Sequence, residues 1–477
     1  SRVWIGAAPG TYILAATDPV LTTEHEVRLV GLTPATTHYY AVGSIEGRLP
    51  GADSTWRFVT PPAAGEVRPT RIWVLGDSGT PSGGQRRVRD AYYAWTDRPT
   101  DVWLMLGDNA YESGTDSEFK TGLFDPFAGF MRSHCLWSAR GNHDDAHSGS
   151  ANDYYELFTF PTAGEAGGTP SRTEAWYSFD HGNIHFVVLD SEVSSRDPGS
   201  PMLTWLAADL AATNRTWVIA FWHHPPYSRG SHDSDSDTRM SEMRENVMPI
   251  LESYGVDLVL GGHSHSYERS FMIDGHYGLS SAFESSMIVD RGDGDATGDG
   301  AYRKPRGSAG PRQGVVAIVA GGSSTLAAGD LDHPVMVRSL AALGSVVIDV
   351  HGSLLEAIYL DDQGVVRDRF MIRKGDTVVD AGRPDPGALG LTARSPVRRG
   401  PVEFSVTLPG AGPVSLAIFD AAGRRVRALP IAHGEAGPQV ARWDGNDDAG
   451  RPVAAGVYFA RLAFAVARRT ARVVMVP

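Results

Sequence analysis

The sequence predicts an α/β protein in which a central region of alternating strands and helices is flanked by two all-β regions. Between residues 67 and 375, short apolar β-prone runs alternate with stretches of helical periodicity. The flanking regions, 1–64 and 391–477, instead show alternating apolar and polar residues between turn signals. A chain of 477 residues is too long for one compact core, so we expect about two to four domains.

Within the central region, the periodic patterns separate helices from strands. In 200–213 leucines recur every three or four residues on one helical face, and 242–254 shows a similar apolar face. A Gly- and Asp-rich stretch, 290–311, is predicted to be a long loop. Strand-like runs resume at 315–319 and 345–350, and we expect them to belong to a second sheet that packs against the first.

The amino-terminal region has the pattern of a β-sandwich. Alternation is visible at 26–30, 38–42 and 56–60, with turn residues between these runs. The stretches LVGLTPATTHYYAV and FVTPP resemble the later strands of a fibronectin type III domain. A sandwich of this kind has roughly 100 residues. We therefore expect residues 1–64 to be an incomplete domain without its opening strands, either because the sequence begins inside the domain or because this version of the domain is trimmed.

The carboxyl-terminal region is also predicted to be a β-sandwich, joined through a Pro-rich linker at 376–390. Strand patterns cover 402–408, 414–419, 456–464 and 470–476. The segments FDAAGRRVRAL and WDGNDDAGRPVAAGVYFARL resemble the immunoglobulin-like domains of flagellar hook-capping type that end many exported bacterial proteins. The resemblance implies a partner at the cell surface or in export, and the region contains no cluster of candidate catalytic residues.

Charge and composition exclude several kinds of protein. With 43 basic and 56 acidic residues the net charge is −13, which repels a phosphate backbone, so we expect no nucleic-acid partner. No apolar run approaches the roughly 20 residues of a membrane span. The single cysteine, Cys135, excludes an intrachain disulfide. The chain begins at Ser1 without a Met or an apolar leader, so we expect any signal peptide to have been removed or omitted.

Five short motifs rich in metal-ligand residues follow apolar runs in the central region. They are Gly76-Asp77-Ser78-Gly79, Gly107-Asp108-Asn109-Ala110-Tyr111, Gly141-Asn142-His143-Asp144, His223-His224-Pro225-Pro226-Tyr227 and Gly262-His263-Ser264-His265. Each one follows a predicted strand, and sites in α/β sheets form beyond the carboxyl ends of the strands. One such motif alone is more often an ordinary turn, whereas five in order indicate a shared metal site.

The ordered set resembles the metallophosphoesterase superfamily and, within it, the purple acid phosphatases. Their pattern is GDxG, GDxxY, GNH(D/E), xxxH and GHxH, and all five occur here in order. The resemblance implies a two-sheet αββα sandwich over 67–375, flanked by the all-β sandwich domains. It also implies a secreted, periplasmic or cell-surface acid phosphatase that acts on a small phosphate ester.

The resemblance further implies two metal ions and no organic cofactor. The first, Fe(III), would be held by Asp77, Asp108, Tyr111 and His265. The second, divalent Fe, Zn or Mn, would be held by Asp108, Asn142, His223 and His263, so that Asp108 bridges the pair. His223 and its neighbour His224 compete for one position, and the family pattern favours His223 because it lies two residues before Pro225.

Two further histidines are expected to act in catalysis, through the same resemblance. A metal-activated hydroxide would attack phosphorus while His143 binds the phosphoryl oxygens and His232 protonates the leaving group. A phosphodiesterase or nucleotidase on the same scaffold is the nearest alternative. A surface or carbohydrate-binding protein with a decayed phosphoesterase core is an alternative of another class, but it would lack a ligand, and none is missing.

Overall fold

A computed structural model describes most of the chain, and its contacts divide it into two compact units, Ser1–Asp376 and Thr377–Pro477. The described residues are 1–51, 53–144, 153–295, 298–304, 310–375 and 390–476, the last range with gaps at 394–396, 399–400, 409–411, 413, 421–423, 430–436 and 465–466. The predicted linker at 376–390 lies outside the described residues, apart from Gly390 at the start of a strand.

The amino-terminal region forms one five-stranded antiparallel sheet. Its strands are β1 (Arg2–Gly6), β2 (Ile13–Thr17), β3 (Thr37–Ser44), β4 (Gly47–Arg48) and β5 (Arg57–Val59). The order is β2-β1-β3-β4, with β5 paired to β3. The strand predicted at 26–30 is wrong: the residues alternate in exposure, but no strand in the described part of the chain pairs with their backbone. The sheet contacts the central region through Tyr40, whose hydroxyl donates to the carbonyl of Arg132 at 2.9 Å.

Two seven-stranded sheets form the central region. Their strands are β6 (Thr70–Leu75), β7 (Val102–Met105), β8 (Leu136–Ser138), β9 (Tyr177–His181), β10 (Ile184–Val188), β11 (Trp217–Phe221), β12 (Leu258–Gly261), β13 (Tyr267–Ser270), β16 (Tyr302–Lys304), β17 (Val316–Ala320), β18 (Met336–Leu340), β19 (Gly344–His351), β20 (Leu354–Asp361) and β21 (Val366–Lys374), while β14 (Met272–Ile273) and β15 (Ile288–Asp290) pair separately. Sheet I has the order β16-β21-β20-β19-β6-β7-β8. Sheet II has the order β18-β13-β17-β12-β11-β10-β9.

Helices cover these sheets. They are α1 (Gly83–Trp95), α2 (Asp116–Phe119), α3 (Asp125–Met131), α4 (Asp153–Leu157), α5 (Pro201–Ala212), α6 (Thr238–Glu242) and α7 (Met248–Tyr254), with π-helical turns at Lys120–Phe124 and Met243–Val247 and 3₁₀ turns at Ser280–Ala282 and Ser285–Met287. The helix predicted at 200–213 is confirmed as α5, where the Ser200 hydroxyl caps the first turn and Pro201 begins it. None of the described helices is long and apolar enough to cross a membrane.

The side chains of β11 show how the layers are arranged. Trp217, Ile219 and Phe221 join a core shared with residues of sheet I, whereas Val218 and Ala220 face a second core beneath α5 and α7. On sheet I, Trp73 stacks on Tyr92 of α1 at 4.2 Å between ring centroids. Both faces of the central parallel strands are therefore buried, which explains their continuous apolar sequences. The predicted two-sheet α/β sandwich is confirmed.

Two local predictions in this region need correction. The runs at 315–319 and 345–350 do not share a second sheet, because the first corresponds to β17 of sheet II and the second to β19 of sheet I, beside β6. The stretch 290–311 is not a continuous loop, because it contains the short strand β16, which pairs in parallel with β21 at the edge of sheet I. Tyr302 and Lys304 of this strand are buried, with 0% and 1% exposure. The Gly- and Asp-rich composition concealed a pairing that depends on residues some 70 positions further along the chain.

The carboxyl-terminal unit consists of two sheets around its own core. Its strands are β22 (Gly390–Ala393), β23 (Val397–Arg398), β24 (Val402–Leu408), β25 (Val414–Asp420), β26 (Arg425–Leu429), β27 (Gly437–Trp443), β28 (Gly456–Phe464) and β29 (Ala467–Val476). They form the sheets β22-β24-β27 and β23-β29-β28-β25-β26. Trp443 is fully buried in this core and packs edge-on against Tyr458. All four strands predicted for this region are present.

Candidate metal centre

The five predicted motifs meet where strands of the two sheets end. Asp77, Asp108 and Asn142 follow β6, β7 and β8, which are parallel neighbours in sheet I. His223 and the pair His263 and His265 follow β11 and β12, which are parallel neighbours in sheet II. Because parallel strands end at the same edge of a sheet, their loops gather the side chains into one place. Sheet I contributes the oxygen donors, and sheet II contributes the imidazoles.

The first donor set surrounds the hydroxyl of Tyr111. This oxygen lies 2.9 Å from Asp108 Oδ2, 3.3 Å from Asp77 Oδ1 and 3.3 Å from His265 Nε2. His265 Nε2 is also 3.4 Å from Asp77 Oδ1. Two carboxylates, a phenol and an imidazole therefore point at one another, which is the donor combination that a hard trivalent cation prefers.

The second donor set surrounds the side-chain oxygen of Asn142. Asn142 Oδ1 lies 3.0 Å from His223 Nε2 and 3.0 Å from His263 Nδ1. His223 Nε2 is 3.4 Å from Asp108 Oδ2, the same oxygen that contacts Tyr111. Asp108 therefore belongs to both sets, as expected for a ligand that bridges two ions.

Hydrogen bonds orient His223 and His224 in different ways. Nδ1 of His223 donates to the carbonyl of Leu106 at 2.9 Å, which leaves Nε2 to face Asp108 and Asn142. Nδ1 of His224 instead forms a hydrogen bond with the Ser191 hydroxyl at 2.9 Å, and its Nε2 lies 3.6 Å from Glu192. The arrangement favours His223 as the ligand, although the donor atoms of His223, His224 and His263 all lie within 4.8 Å of one another.

The backbone of the site is tightly constrained. Asp77, Asp108 and His263 have φ values of 55°, 53° and 63°, a left-handed conformation that residues with side chains adopt rarely. Such conformations persist only where the surroundings hold them, and they cluster at functional sites. A Cβ at Gly141 would collide with the Asp108 carboxylate, and one at Gly262 with the Asp77 carboxylate. These glycines of the motifs are required so that the loops can approach the ligands.

Asp144 is a positioning residue that the sequence analysis did not assign, although it occupies the last position of the third motif. Its carboxylate accepts from the backbone N–H groups of Asp108 at 3.0 Å, Asn109 at 2.6 Å, Ala110 at 3.2 Å and Gly141 at 2.8 Å. It therefore ties the loop after β7 to the loop after β8. Burial, with a contribution from Asp108, raises the pKa of Asp144 to about 7.

The donor sets fit cations on electrostatic grounds. Asp77 and Asp108 are 0% and 2% exposed, and among the described residues only histidines form ion pairs with them. Burial disfavours a charged imidazole, but Asp108 outweighs this effect and raises the pKa of His223 to about 10. Burial and the two carboxylates raise the pKa of Tyr111 well above its usual value. Buried charges need compensation. A cation between these groups would therefore offset the negative charges of Asp77 and Asp108 and allow the Tyr111 phenol to ionise.

The two predicted catalytic histidines lie against the donor sets. His143 donates its backbone N–H to Asp108 Oδ1 at 2.8 Å, its ring packs 4.5 Å from that of Tyr111, and its Nδ1 contacts the carbonyl of Glu112 at 2.7 Å. His232 stacks on His263 with 3.8 Å between ring centroids. Burial, followed by His263, lowers the pKa of His232 to about 4. All nine predicted site residues are therefore brought into one cluster.

Comparisons with known proteins agree with this geometry. Residues 70–267 match the Calcineurin-like phosphoesterase family, and residues 395–465 match the FlgD Ig-like domain. Purple acid phosphatase 15 of Arabidopsis thaliana is 30% identical over 275 residues, which cover 52% of this chain and 49% of that protein. Purple acid phosphatase 1 of Ipomoea batatas is 28% identical over 259 residues, which cover 52% and 51%. The chain thus spans about half the length of these two relatives.

A solved structure supports the fold assignment. A purple acid phosphatase from yellow lupin seeds superposes with a TM-score of 0.61 at 17% identity, over 79% of this chain and 69% of that chain. Within the central region, residues 70–267 form a calcineurin-like metallophosphoesterase domain, with purple acid phosphatases among its homologues. The chain ends in a FlgD Ig-like domain.

Proposed function

We propose that the protein hydrolyses phosphate monoesters at a centre that holds two cations. The observation that carries the proposal is the pair of donor sets sharing one carboxylate oxygen, Asp108 Oδ2, which lies 2.9 Å from Tyr111 Oη and 3.4 Å from His223 Nε2. When bound there, two cations supply charge for the phosphate oxygens and acidify the water molecule that attacks phosphorus.

The chemistry of each donor set supports a particular cation. Tyr111, Asp77, Asp108 and His265 form the oxygen-rich set, which suits Fe(III). The second set contains two imidazoles and an amide oxygen, which suit divalent Fe, Zn or Mn.

Two histidines of this chain would handle the substrate itself. The contact of His143 Nδ1 with the Glu112 carbonyl leaves Nε2 as the ring nitrogen for a phosphoryl oxygen. His232, stacked on His263 beside the second donor set, would donate a proton to the departing alkoxide. The loop of His232 is anchored to the site, because Ser231 Oγ accepts from the backbone N–H of His265 at 2.9 Å.

We also propose where the protein acts and what the flanking domains do. The FlgD Ig-like domain would attach the enzyme to a cell-surface or export partner, and its match to residues 395–465 supports this role. The enzyme would act outside the cytoplasm, and the plant homologues are named purple acid phosphatases. Its substrate would be a small phosphate ester, since the net charge of −13 disfavours nucleic acid.

A combined metal and substrate assay tests the proposal. We expect two metal ions per chain, a visible absorption band, and faster hydrolysis of p-nitrophenyl phosphate than of bis-p-nitrophenyl phosphate. Tyr111→Phe should lose the band, whereas Tyr93→Phe, on the outer helix α1, should keep it. A protein that prefers the diester would instead be a phosphodiesterase. One that binds fewer than two ions and cleaves neither ester would refute the enzyme assignment.

A further inference from the structure

The two ring nitrogens of His263 have different surroundings. Nδ1 lies 3.0 Å from Asn142 Oδ1 and faces the second donor set. Nε2 points away from it, is buried, and finds no hydrogen-bond partner within the normal geometric limits among the residues that the structure describes. If Nδ1 binds a cation, it must be unprotonated, so the proton of the neutral imidazole must lie on Nε2. A buried N–H without an acceptor lowers the stability of the folded protein, so a nearby acceptor for this proton is expected.

A carboxylate stands opposite this nitrogen. Asp237 Oδ2 lies 3.5 Å from His263 Nε2, just beyond ordinary hydrogen-bond length. The other oxygen, Asp237 Oδ1, accepts from the backbone N–H groups of Arg239 at 2.8 Å and Met240 at 3.1 Å, and thereby caps α6. One oxygen is thus fixed by the helix, and the second remains available to the imidazole.

The other imidazoles of the centre are oriented by neutral groups. His223 donates to the backbone carbonyl of Leu106, and Nδ1 of His265 contacts the hydroxyl of Thr325 at 3.1 Å. His263 differs, because its partner is charged. That partner, Asp237, is the N-cap of α6, which follows the loop of His232. Donor atoms of His232, Asp237 and His263 lie within 4.8 Å of one another, so this loop and the second donor set form one unit.

We infer that Asp237 is a positioning residue, which accepts the Nε2 proton of His263 and holds Nδ1 toward the second cation. The inference rests on the proposed two-cation centre. A carboxylate behind a ligating imidazole fixes its tautomer and increases its basicity, and loss of such a partner weakens metal binding by ~10–100-fold. Asp237 therefore sets the affinity of the second cation but not of the first, whose imidazole ligand is oriented by Thr325.

The test measures metal binding in the full chain without substrate. Asp237→Asn removes the charge yet retains a good helix cap, and Asp237→Ser also retains a cap but is too short to reach His263. The matched control is Asp233→Asn, in the same loop, whose carboxylate contacts the backbone N–H of Asp235 and faces Arg229. Zn²⁺ affinity would be determined for each site by competition with a chromophoric chelator.

We expect both Asp237 variants to bind the second Zn²⁺ ~10–100-fold more weakly, with the first site and the metal-free melting temperature unchanged. Excess Zn²⁺ should restore their activity. Equal affinities in Asp237→Asn, Asp237→Ser and the parent protein would overturn the inference, as would equal weakening at both sites. A parent protein that binds two ions but cleaves no monoester would refute the proposed function while leaving the role of Asp237 intact.

Discussion

The two sheets of the central domain contribute chemically different halves of the site. The loops of sheet I provide Asp77, Asp108, Tyr111 and Asn142, all oxygen donors, whereas those of sheet II provide three imidazoles. Neither sheet completes a donor set, since the first takes His265 from sheet II and the second takes Asp108 and Asn142 from sheet I. The centre therefore exists only when the sheets are packed together, so the shared hydrophobic core also determines the geometry of the metal site.

The largest expected effect comes from replacing Asp108, the residue that the two donor sets share. Asp108→Asn should lower the occupancy of both cations and reduce phosphatase activity to that of the metal-free protein, because Asp108 Oδ2 contacts both sets. Elemental analysis and a p-nitrophenyl phosphate assay would measure this. Asp90→Asn, on the surface of α1, should retain both ions. Loss of one ion alone would mean that Asp108 does not bridge them.

A second prediction concerns His232, which belongs to neither sheet but to the loop between β11 and α6. His232→Ala should slow hydrolysis of an alkyl phosphate by ~10²–10⁴-fold, the usual range for general acid catalysis. The effect on p-nitrophenyl phosphate should be much smaller, because its leaving group departs without a proton. Metal content should be unchanged. Equal losses on both substrates would indicate a role in binding instead.

A third prediction separates the two adjacent histidines of sheet II. His223→Ala should weaken binding of the second cation by more than the ~10–100-fold expected when a residue that only positions a ligand is lost. The reason is that His223 is itself a proposed ligand. His224→Ala should retain both ions, since its Nδ1 contacts Ser191 rather than the donor sets. Metal analysis after dialysis against a weak chelator would distinguish them. The opposite result would assign the ligand to His224.

A smaller effect is expected from a buried ion cluster between sheet II and helix α5. His185 contacts Asp180 Oδ1 at 2.8 Å and Asp209 Oδ2 at 2.9 Å. Burial opposes its charge, but these carboxylates outweigh it and raise the pKa of His185 to about 9. The stabilisation should be complete below the unfolded-state pKa of about 6.5 and lost as the pH rises through 9.

Urea unfolding of the metal-loaded protein between pH 6 and pH 9.5 would measure this loss. From the pKa shift, His185 contributes on the order of 3 kcal/mol. His185→Asn should be less stable at pH 6 and should show a flatter pH profile. His351→Asn, at an exposed position, should follow the parent protein. A parent profile with no decrease toward pH 9 would contradict the prediction.

The smallest effect should follow removal of the carboxyl-terminal unit. Truncation after Arg383 should leave kcat/KM within about two-fold of the parent, because a separate domain has its own core. Circular dichroism would confirm that the shortened chain is folded. A folded truncation that had lost most of its activity would show that the two sheets do not suffice for catalysis.

Local sequence patterns were enough to predict much of the structure. Apolar runs followed by Asp, Asn or His predicted five strands and their loops, and the leucine repeat in 200–213 predicted α5. These features depend on neighbouring residues. The failures depend on distant residues. The stretch 26–30 has strand periodicity but pairs with none of the described strands, and β16 pairs with a strand about 70 residues away.

The sequence by itself therefore determined which residue types could bind metal, in what order, and after which strands. Only the tertiary structure decided that the oxygens come from one sheet and the imidazoles from the other, because sheet I joins β6 to β19 across more than 270 residues. It also decided the partners of those ligands. Loop closure and burial bring Asp144 and Asp237 to these ligands. The sequence around Asp237, a run of alternating Ser and Asp at 233–237, gives no local sign of its contact with His263.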